Sequence, residues 1–122
     1  MQTRRGSTLK GVITISLMVV NVVFWVPILL VVALAKLIIP LAAWRRWTSA
    51  LMIWIAQAWI SCNGAIFGLM GALRLEVEGV AGLDPRGWYL VLSNHRSWVD
   101  ILVLQQAFNR RIPFLKFFLK QE

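Results

Sequence analysis

The sequence predicts an α/β protein with a two-helix membrane hairpin (residues 1–72) before the first part, β-β-α-β, of an α/β domain (residues 73–122). Two long apolar stretches before Leu73 predict the hairpin, and a change to short alternating and apolar runs after it predicts the domain. Hydrophobic residues make up 59% of the 122 residues, above the roughly 45–50% of a soluble domain. We therefore expect part of this surplus to face lipid.

The first apolar stretch, Val12 to Ala35, has 24 residues without a charge. As a helix it is long enough to cross a hydrocarbon core of about 30 Å. Pro27 is expected to kink this helix, which a membrane helix tolerates. A signal peptide is the alternative interpretation, but its apolar core is usually only about 7–15 residues long. We favour an uncleaved anchor.

The second apolar stretch runs from Trp47 to Leu73 and is less uniform. Gly64 and Gly68 have the small-xxx-small spacing that lets two membrane helices approach closely, and the first helix is the expected partner. Basic residues before the first helix and in the connector resist translocation. A hairpin that dips into one leaflet, with both ends cytoplasmic, satisfies this charge pattern, and two full spans are the alternative.

The charge distribution indicates the partner. Between Met1 and Leu75 there are seven Lys or Arg residues and no Asp or Glu, and the whole chain carries +8. Such a basic, Trp-rich segment suits an anionic membrane surface. Nucleic acid is the rival partner, but the basic residues are scattered around apolar runs and form no recognition face. Membrane lipids are therefore the predicted partner, with no nucleic acid.

The elements after residue 72 predict a sheet. Leu73 to Val77 alternates as a half-exposed strand, and Gly79 to Gly87 is a loop. Trp88 to Leu92 is a continuous apolar run of the kind that is buried on both faces. Trp98 to Phe108 has helical spacing, and Ile112 to Leu119 is a further strand. Strand, turn, helix and strand form a βαβ unit and imply a parallel sheet.

The turn between Leu92 and Trp98 contains the one histidine of the chain, His95, five residues before Asp100. A carboxylate at this spacing can fold back toward an imidazole and fix its tautomer. No convincing protein nucleophile accompanies the pair. We therefore expect His95 to deprotonate a substrate hydroxyl that attacks an acyl donor directly. In the alternative interpretation, Ser97-x-x-Asp100 is a capping box and His95 only a local hydrogen-bonding residue.

Metal and redox sites are not expected in this chain. Its one cysteine, Cys62, excludes an internal disulfide. One cysteine and one histidine are too few for a metal site.

The segment Asn94 to Asp100 resembles the N-H-x-x-x-x-D block of the glycerophospholipid acyltransferase family, which includes the 1-acylglycerol-3-phosphate acyltransferases. A basic membrane hairpin before the block and an apolar helix after it are similar to that family as well. Ile112-Pro-Phe and the later Lys120-Gln-Glu resemble its P-F…K-x-E-L segment. The sequence from Lys116 to Lys120 is most similar to a bacterial branch of the family that resembles lysocardiolipin acyltransferases.

This resemblance implies an acyl-CoA or acyl-carrier-protein thioester as donor and a lysophospholipid hydroxyl as acceptor, with no other cofactor and no metal. It implies His95 as the base and Asp100 as the residue that orients it. Asn94 and Ser97 would shape the turn, and Lys120 would lie near the active site. The implied location is a bacterial inner membrane, with the catalytic domain facing the cytoplasm.

The later G-x-x-F-I-x-R and E-G-T-R blocks of that family are not in the sequence. We therefore expect a truncated chain that is inactive in isolation. Two alternatives stay open: an acyltransferase for a different lipid acceptor, and a non-enzymatic membrane-anchored module in which His95 and Asp100 only cap a helix.

Overall fold

The computed structural model describes residues 2–71, 74–94 and 97–117, with side chains from residue 6 onward. The chain divides into two compact units, Met1–Arg74 and Leu75–Glu122. Within the described residues there are three helices: α1 (Gln2–Ile38) and α2 (Ala42–Met70) in the first unit, and α3 (Trp98–Phe108) in the second.

The first unit is a helical hairpin with a connector at residues 39–41. Trp44 Nε1 donates to the Ala35 carbonyl (3.0 Å) near the connector, and Asn21 Nδ2 donates to Asn63 Oδ1 (2.8 Å) farther from it on both helices. The two contacts together make the helices antiparallel. At a rise of 1.5 Å per residue, α1 is about 55 Å long and α2 about 43 Å.

Both helices are long and apolar enough to cross a membrane. Helix α1 extends beyond both ends of its predicted apolar stretch, whereas α2 begins before Trp47 and ends at Met70, before Leu73. The polar lead of α1 continues the same helix, and α1 runs through Pro27 without interruption. Most large apolar side chains of α1 are exposed; Leu37, for example, is 78% exposed. A helix pair buries only the one face that each member turns to the other, so most apolar side chains remain outside.

The face that α2 turns inward differs from the predicted glycine stripe. Its buried residues include Thr48, Ile55 and Asn63, spaced seven and eight apart and therefore on one side of the helix. Gly68 is exposed, and a Cβ atom built on it would meet nothing within 4 Å. The prediction of close helix packing at Gly68 is therefore wrong. The hydrogen bond between Asn21 and Asn63 accounts for the face that packs instead.

The buried hydroxyls of this hairpin bond within their own helices. Thr14 Oγ1 donates to the Lys10 carbonyl and Thr48 Oγ1 to the Trp44 carbonyl, both at 2.8 Å. At its C-terminus α2 is closed by Gly71, whose φ of 60° lies in the left-handed region and whose N–H donates to the carbonyls of the last turn.

In the second unit the predicted α/β fold is wrong. Residues 74–94 and 109–117 contain no strand, and α3 is the only regular element described there. Trp88 to Leu92, predicted as a doubly buried strand, is largely exposed: Trp88 is 100% exposed and Leu92 85%. A strand forms only where a second segment supplies ladder hydrogen bonds. The local alternation of apolar residues does not reveal whether such a partner exists.

The described backbone of this unit outside α3 contains two well-defined turns. The predicted loop contains a turn in which the Gly87 N–H donates to the Asp84 carbonyl (2.9 Å) and the Arg86 N–H to Asp84 Oδ1 (2.9 Å). After α3, Asn109 (φ −54°, ψ 122°) and Arg110 (φ 60°) have the backbone angles of a type II turn. Ile112 follows this turn and is buried (4% exposed).

Candidate functional site

The candidate site begins at the N-terminus of α3. Ser97, in an extended conformation, is the N-cap, and it forms a capping box with Asp100, the third helical residue. The Ser97 backbone N–H donates to Asp100 Oδ2 at 2.8 Å, and the Asp100 N–H donates to the Ser97 carbonyl at 3.1 Å. The predicted helix start and the predicted cap are both confirmed.

The capping geometry fixes the direction of the Asp100 carboxylate. Because Oδ2 accepts from Ser97, the carboxylate folds back over the start of α3, toward the residues that precede the helix. A carboxylate has two oxygens and about four lone-pair sites, so it can accept from more than one donor. Asp100 is half-buried. Its negative charge also suits the positive end of the α3 dipole.

The structure brings together only part of the predicted site. Ser97 and Asp100 are in hydrogen-bond contact, and the side chain of Asn94 is exposed. His95 and Lys120 lie outside the described residues. The Ser97 N–H is taken by the carboxylate, so this amide is not available to steady an oxyanion or a phosphate.

A small cavity of about 280 Å³ lies in the same unit. Its lining is apolar apart from the phenol of one tyrosine: Leu83, Tyr89, Leu90, Val91, Leu92, Phe108 and Ile112. The Tyr89 hydroxyl accepts a hydrogen bond from the Asp84 N–H (2.8 Å), which holds the ring at the loop. Such a cavity suits an apolar group. It lies on chain segments that flank the N-H-x-x-x-x-D block on both sides.

Two features of the molecule were not predicted from the sequence. The cavity joins residues up to 29 positions apart, Leu83 and Ile112, so no local pattern marks it. The Asn21–Asn63 pair did leave a signal, because α1 and α2 each contain a single asparagine in an otherwise apolar stretch. A polar amide there needs a partner.

Comparison of the chain with protein-family models, with curated proteins and with solved structures gives no match. The family resemblance therefore depends on the motif and its surroundings.

Proposed function

We propose that the chain is the membrane-anchored part of a glycerolipid acyltransferase. The enzyme would transfer an acyl group from acyl-CoA or acyl-carrier protein to the free hydroxyl of a lysophospholipid such as 1-acylglycerol-3-phosphate. In this proposal His95 is the general base and Asp100 orients it. The hairpin lies in the membrane, and the segment with the motif faces the cytoplasm of a bacterium.

The observation that carries this proposal is the Asp100 carboxylate folded back over the start of α3, in an N-H-x-x-x-x-D block. A base must be held in one tautomer and orientation, and a carboxylate fixed by its own hydrogen bond is suited to this task. Ser97, which fixes it, is two residues from His95 along the chain. The arrangement supports an Asp–His pair without a protein nucleophile.

The proposed chemistry is a direct transfer. His95 takes the proton of the lipid hydroxyl as its oxygen attacks the thioester carbonyl carbon. The tetrahedral intermediate collapses, the carbon–sulfur bond breaks, and the leaving thiolate takes the proton back from the imidazolium. The products are the acylated lipid and free thiol, and His95 returns to its neutral state. Asp100 favours the charged imidazolium in the middle of this sequence.

Membrane location is supported by α1 and α2, which are long and apolar enough to cross a bilayer. No acidic residue occurs before Glu76, whereas basic residues lie at the start of α1 and around the connector. Because positive charge collects on the cytoplasmic side, both ends of a hairpin with this pattern belong there. A hairpin embedded in one leaflet, with the start of α1 and the connector both at headgroup level, meets this condition.

The test compares His95→Ala and Asp100→Asn in the natural protein, assayed in membranes with acyl-CoA and 1-acylglycerol-3-phosphate. We expect initial rates to fall roughly a hundredfold or more, the usual contribution of a general base. Asp84→Asn is the matched control, because that carboxylate also accepts one nearby backbone N–H (2.9 Å, from Arg86) and lies outside the motif. Rates unchanged in both motif variants would refute the enzymatic proposal.

The capping box itself favours a second candidate, a non-enzymatic membrane-anchored module. In that case Asp100 serves α3 alone, and His95→Ala changes nothing. Asp100→Asn keeps an oxygen that accepts from Ser97, so it leaves α3 nearly intact in either case. Loss of turnover with retained folding and membrane binding distinguishes the enzyme from the anchor.

A further inference from the structure

An open groove of about 530 Å³ lies at the connector end of the hairpin, in the first unit. One residue of α1 and five residues of α2 line it: Lys36, Arg45, Arg46, Ser49, Ala50 and Ile53. Three of these six side chains are cationic. Grooves of this volume fall within the usual range of small-ligand sites, roughly 300–1,000 Å³.

The positive charge of this groove is not balanced within its own unit. The unit ends at Arg74, and the first acidic residue of the chain is Glu76. Arg45 and Arg46 also lie close to the positive N-terminal end of α2, whose first turn contains no acid. Cations are disfavoured at that end of a helix. An anion bound in the groove would reduce the repulsion among the three cations. It would also reduce their unfavourable interaction with the positive end of α2.

The groove changes from polar to apolar along α2. Arg45, Ser49 and Ile53 follow one another at four-residue steps, so they form one line down the helix. The Ser49 hydroxyl donates to the Arg45 backbone carbonyl (2.6 Å). The guanidinium of Arg45 is therefore the polar group at the end of this line nearest the connector. Ile53, at the end of the line farthest from the connector, is 43% exposed. A cationic end followed by an apolar surface matches an amphiphilic ligand with an anionic headgroup and an apolar chain.

Tryptophans lie at the level of the cations. Trp47, 58% exposed, packs against Trp44 with a ring-centroid distance of 5.4 Å and an angle of 34° between the ring planes. The Trp44 indole N–H is held by the Ala35 carbonyl (3.0 Å). Indole rings in membrane proteins settle at headgroup depth. If the hairpin lies in a bilayer as proposed, the three cations meet lipid phosphates.

We propose that this groove binds the headgroup of an anionic phospholipid, with its phosphate between Lys36, Arg45 and Arg46 and an acyl chain along Ala50 and Ile53. Arginine binds phosphate through two parallel N–H donors, which suits this arrangement. The inference depends on the membrane location in the proposed function and not on acyl transfer. Its measurement needs no acyl donor, so failure of one proposal is distinguishable from failure of the other.

The test reconstitutes the full chain into phosphatidylcholine vesicles that contain a small fraction of spin-labelled phosphatidylglycerol. Electron spin resonance then gives the fraction of labelled lipid immobilised by the protein, relative to spin-labelled phosphatidylcholine. We expect a clear preference for phosphatidylglycerol. The groove variant Lys36→Gln/Arg45→Gln/Arg46→Gln should reduce this preference by at least about fivefold, the contribution of about 1 kcal/mol that a single basic residue makes near a membrane surface.

The matched control is Arg4→Gln/Arg5→Gln/Lys10→Gln, which removes the same charge from the other end of α1 and should retain most of the preference. Equal losses in the two triple variants would overturn the proposal, because they indicate diffuse attraction to the surface. Displacement of the labelled lipid by inorganic phosphate alone would also overturn it, by identifying a site for free phosphate. Competition by unlabelled phosphatidylglycerol but not by phosphate supports it.

Two further measurements keep the result decisive. Flotation with the vesicles and helical circular dichroism establish that each variant is inserted and folded. A chain that does not float overturns the membrane location and this site together. Should the triple groove variant fail to fold, the single changes Lys36→Gln and Arg46→Gln replace it, and each should lower the preference measurably. Single variants that bind like the unmodified chain contradict the proposal.

Discussion

The hydrogen bond between Asn21 and Asn63 should couple the two helices of the hairpin energetically. It joins Nδ2 of one amide to Oδ1 of the other at 2.8 Å, and the two residues are only 9% and 3% exposed. Either Asn21→Ala or Asn63→Ala leaves the remaining amide buried without this partner. Such a loss costs about 1–3 kcal/mol. The double variant removes both amides and avoids that penalty.

The double variant should therefore cost less than the sum of the single variants. We expect a coupling energy of about 0.6–1.7 kcal/mol, the range found for hydrogen bonds between membrane helices. The assay follows tryptophan fluorescence as the hairpin is opened by SDS in mixed dodecyl maltoside micelles. The free energy of unfolding is compared for the unmodified chain, both single variants and the double variant.

A second double-mutant cycle, between Asn21 and Thr48, supplies the control. Thr48→Val removes a hydroxyl that bonds only within α2, to the carbonyls of Trp44 and Arg45. Residue 48 lies about 22 Å along α2 from Asn63 at 1.5 Å per residue. Combined with Asn21→Ala, it should be additive within about 0.5 kcal/mol. A coupling energy near zero between Asn21 and Asn63 would refute the idea that this pair sets the packing face.

Four further changes have expected signs. Gly71→Ala should destabilise the hairpin by about 1–2 kcal/mol, because a φ of 60° disfavours any side chain. Gly68→Ala should stabilise the hairpin by up to about 1 kcal/mol, because alanine favours the helix and its Cβ would meet no neighbour. Unfolding in detergent measures both changes. Trp44→Phe should cost about 0.5–1.5 kcal/mol in that assay through the lost bond to Ala35. Arg110→Gly should stabilise the turn after α3 by about 1 kcal/mol, measured as slower amide exchange there.

The helices could be predicted from the sequence because their signal is local. An uncharged stretch of 24 residues specifies a long apolar helix without reference to the rest of the chain. The Ser97-x-x-Asp100 pattern located the start of α3 for the same reason. The helix ends were less predictable, since α1 begins at Gln2 and continues through polar residues that carry no apolar period.

The predictions that failed concern features that depend on pairing between distant segments. Trp88 to Leu92 has the composition of a buried strand, yet its burial would require neighbours that local periodicity does not report. The helix interface followed an amide pair 42 residues apart instead of the glycine spacing within α2. A single asparagine in each apolar helix was the available signal, because an unpartnered amide among apolar groups is costly.

Capping and catalysis make compatible demands on Asp100. A helix cap needs a carboxylate oxygen aimed at the backbone N–H that precedes the helix, and the 2.8 Å contact with Ser97 provides it. An orienting partner for a base needs a carboxylate that does not rotate, and the same contact removes rotational freedom from this side chain. In the proposed enzyme the cap therefore also holds the carboxylate that orients His95. Asp100→Glu moves the carboxylate by one methylene, so turnover should fall even where α3 remains folded.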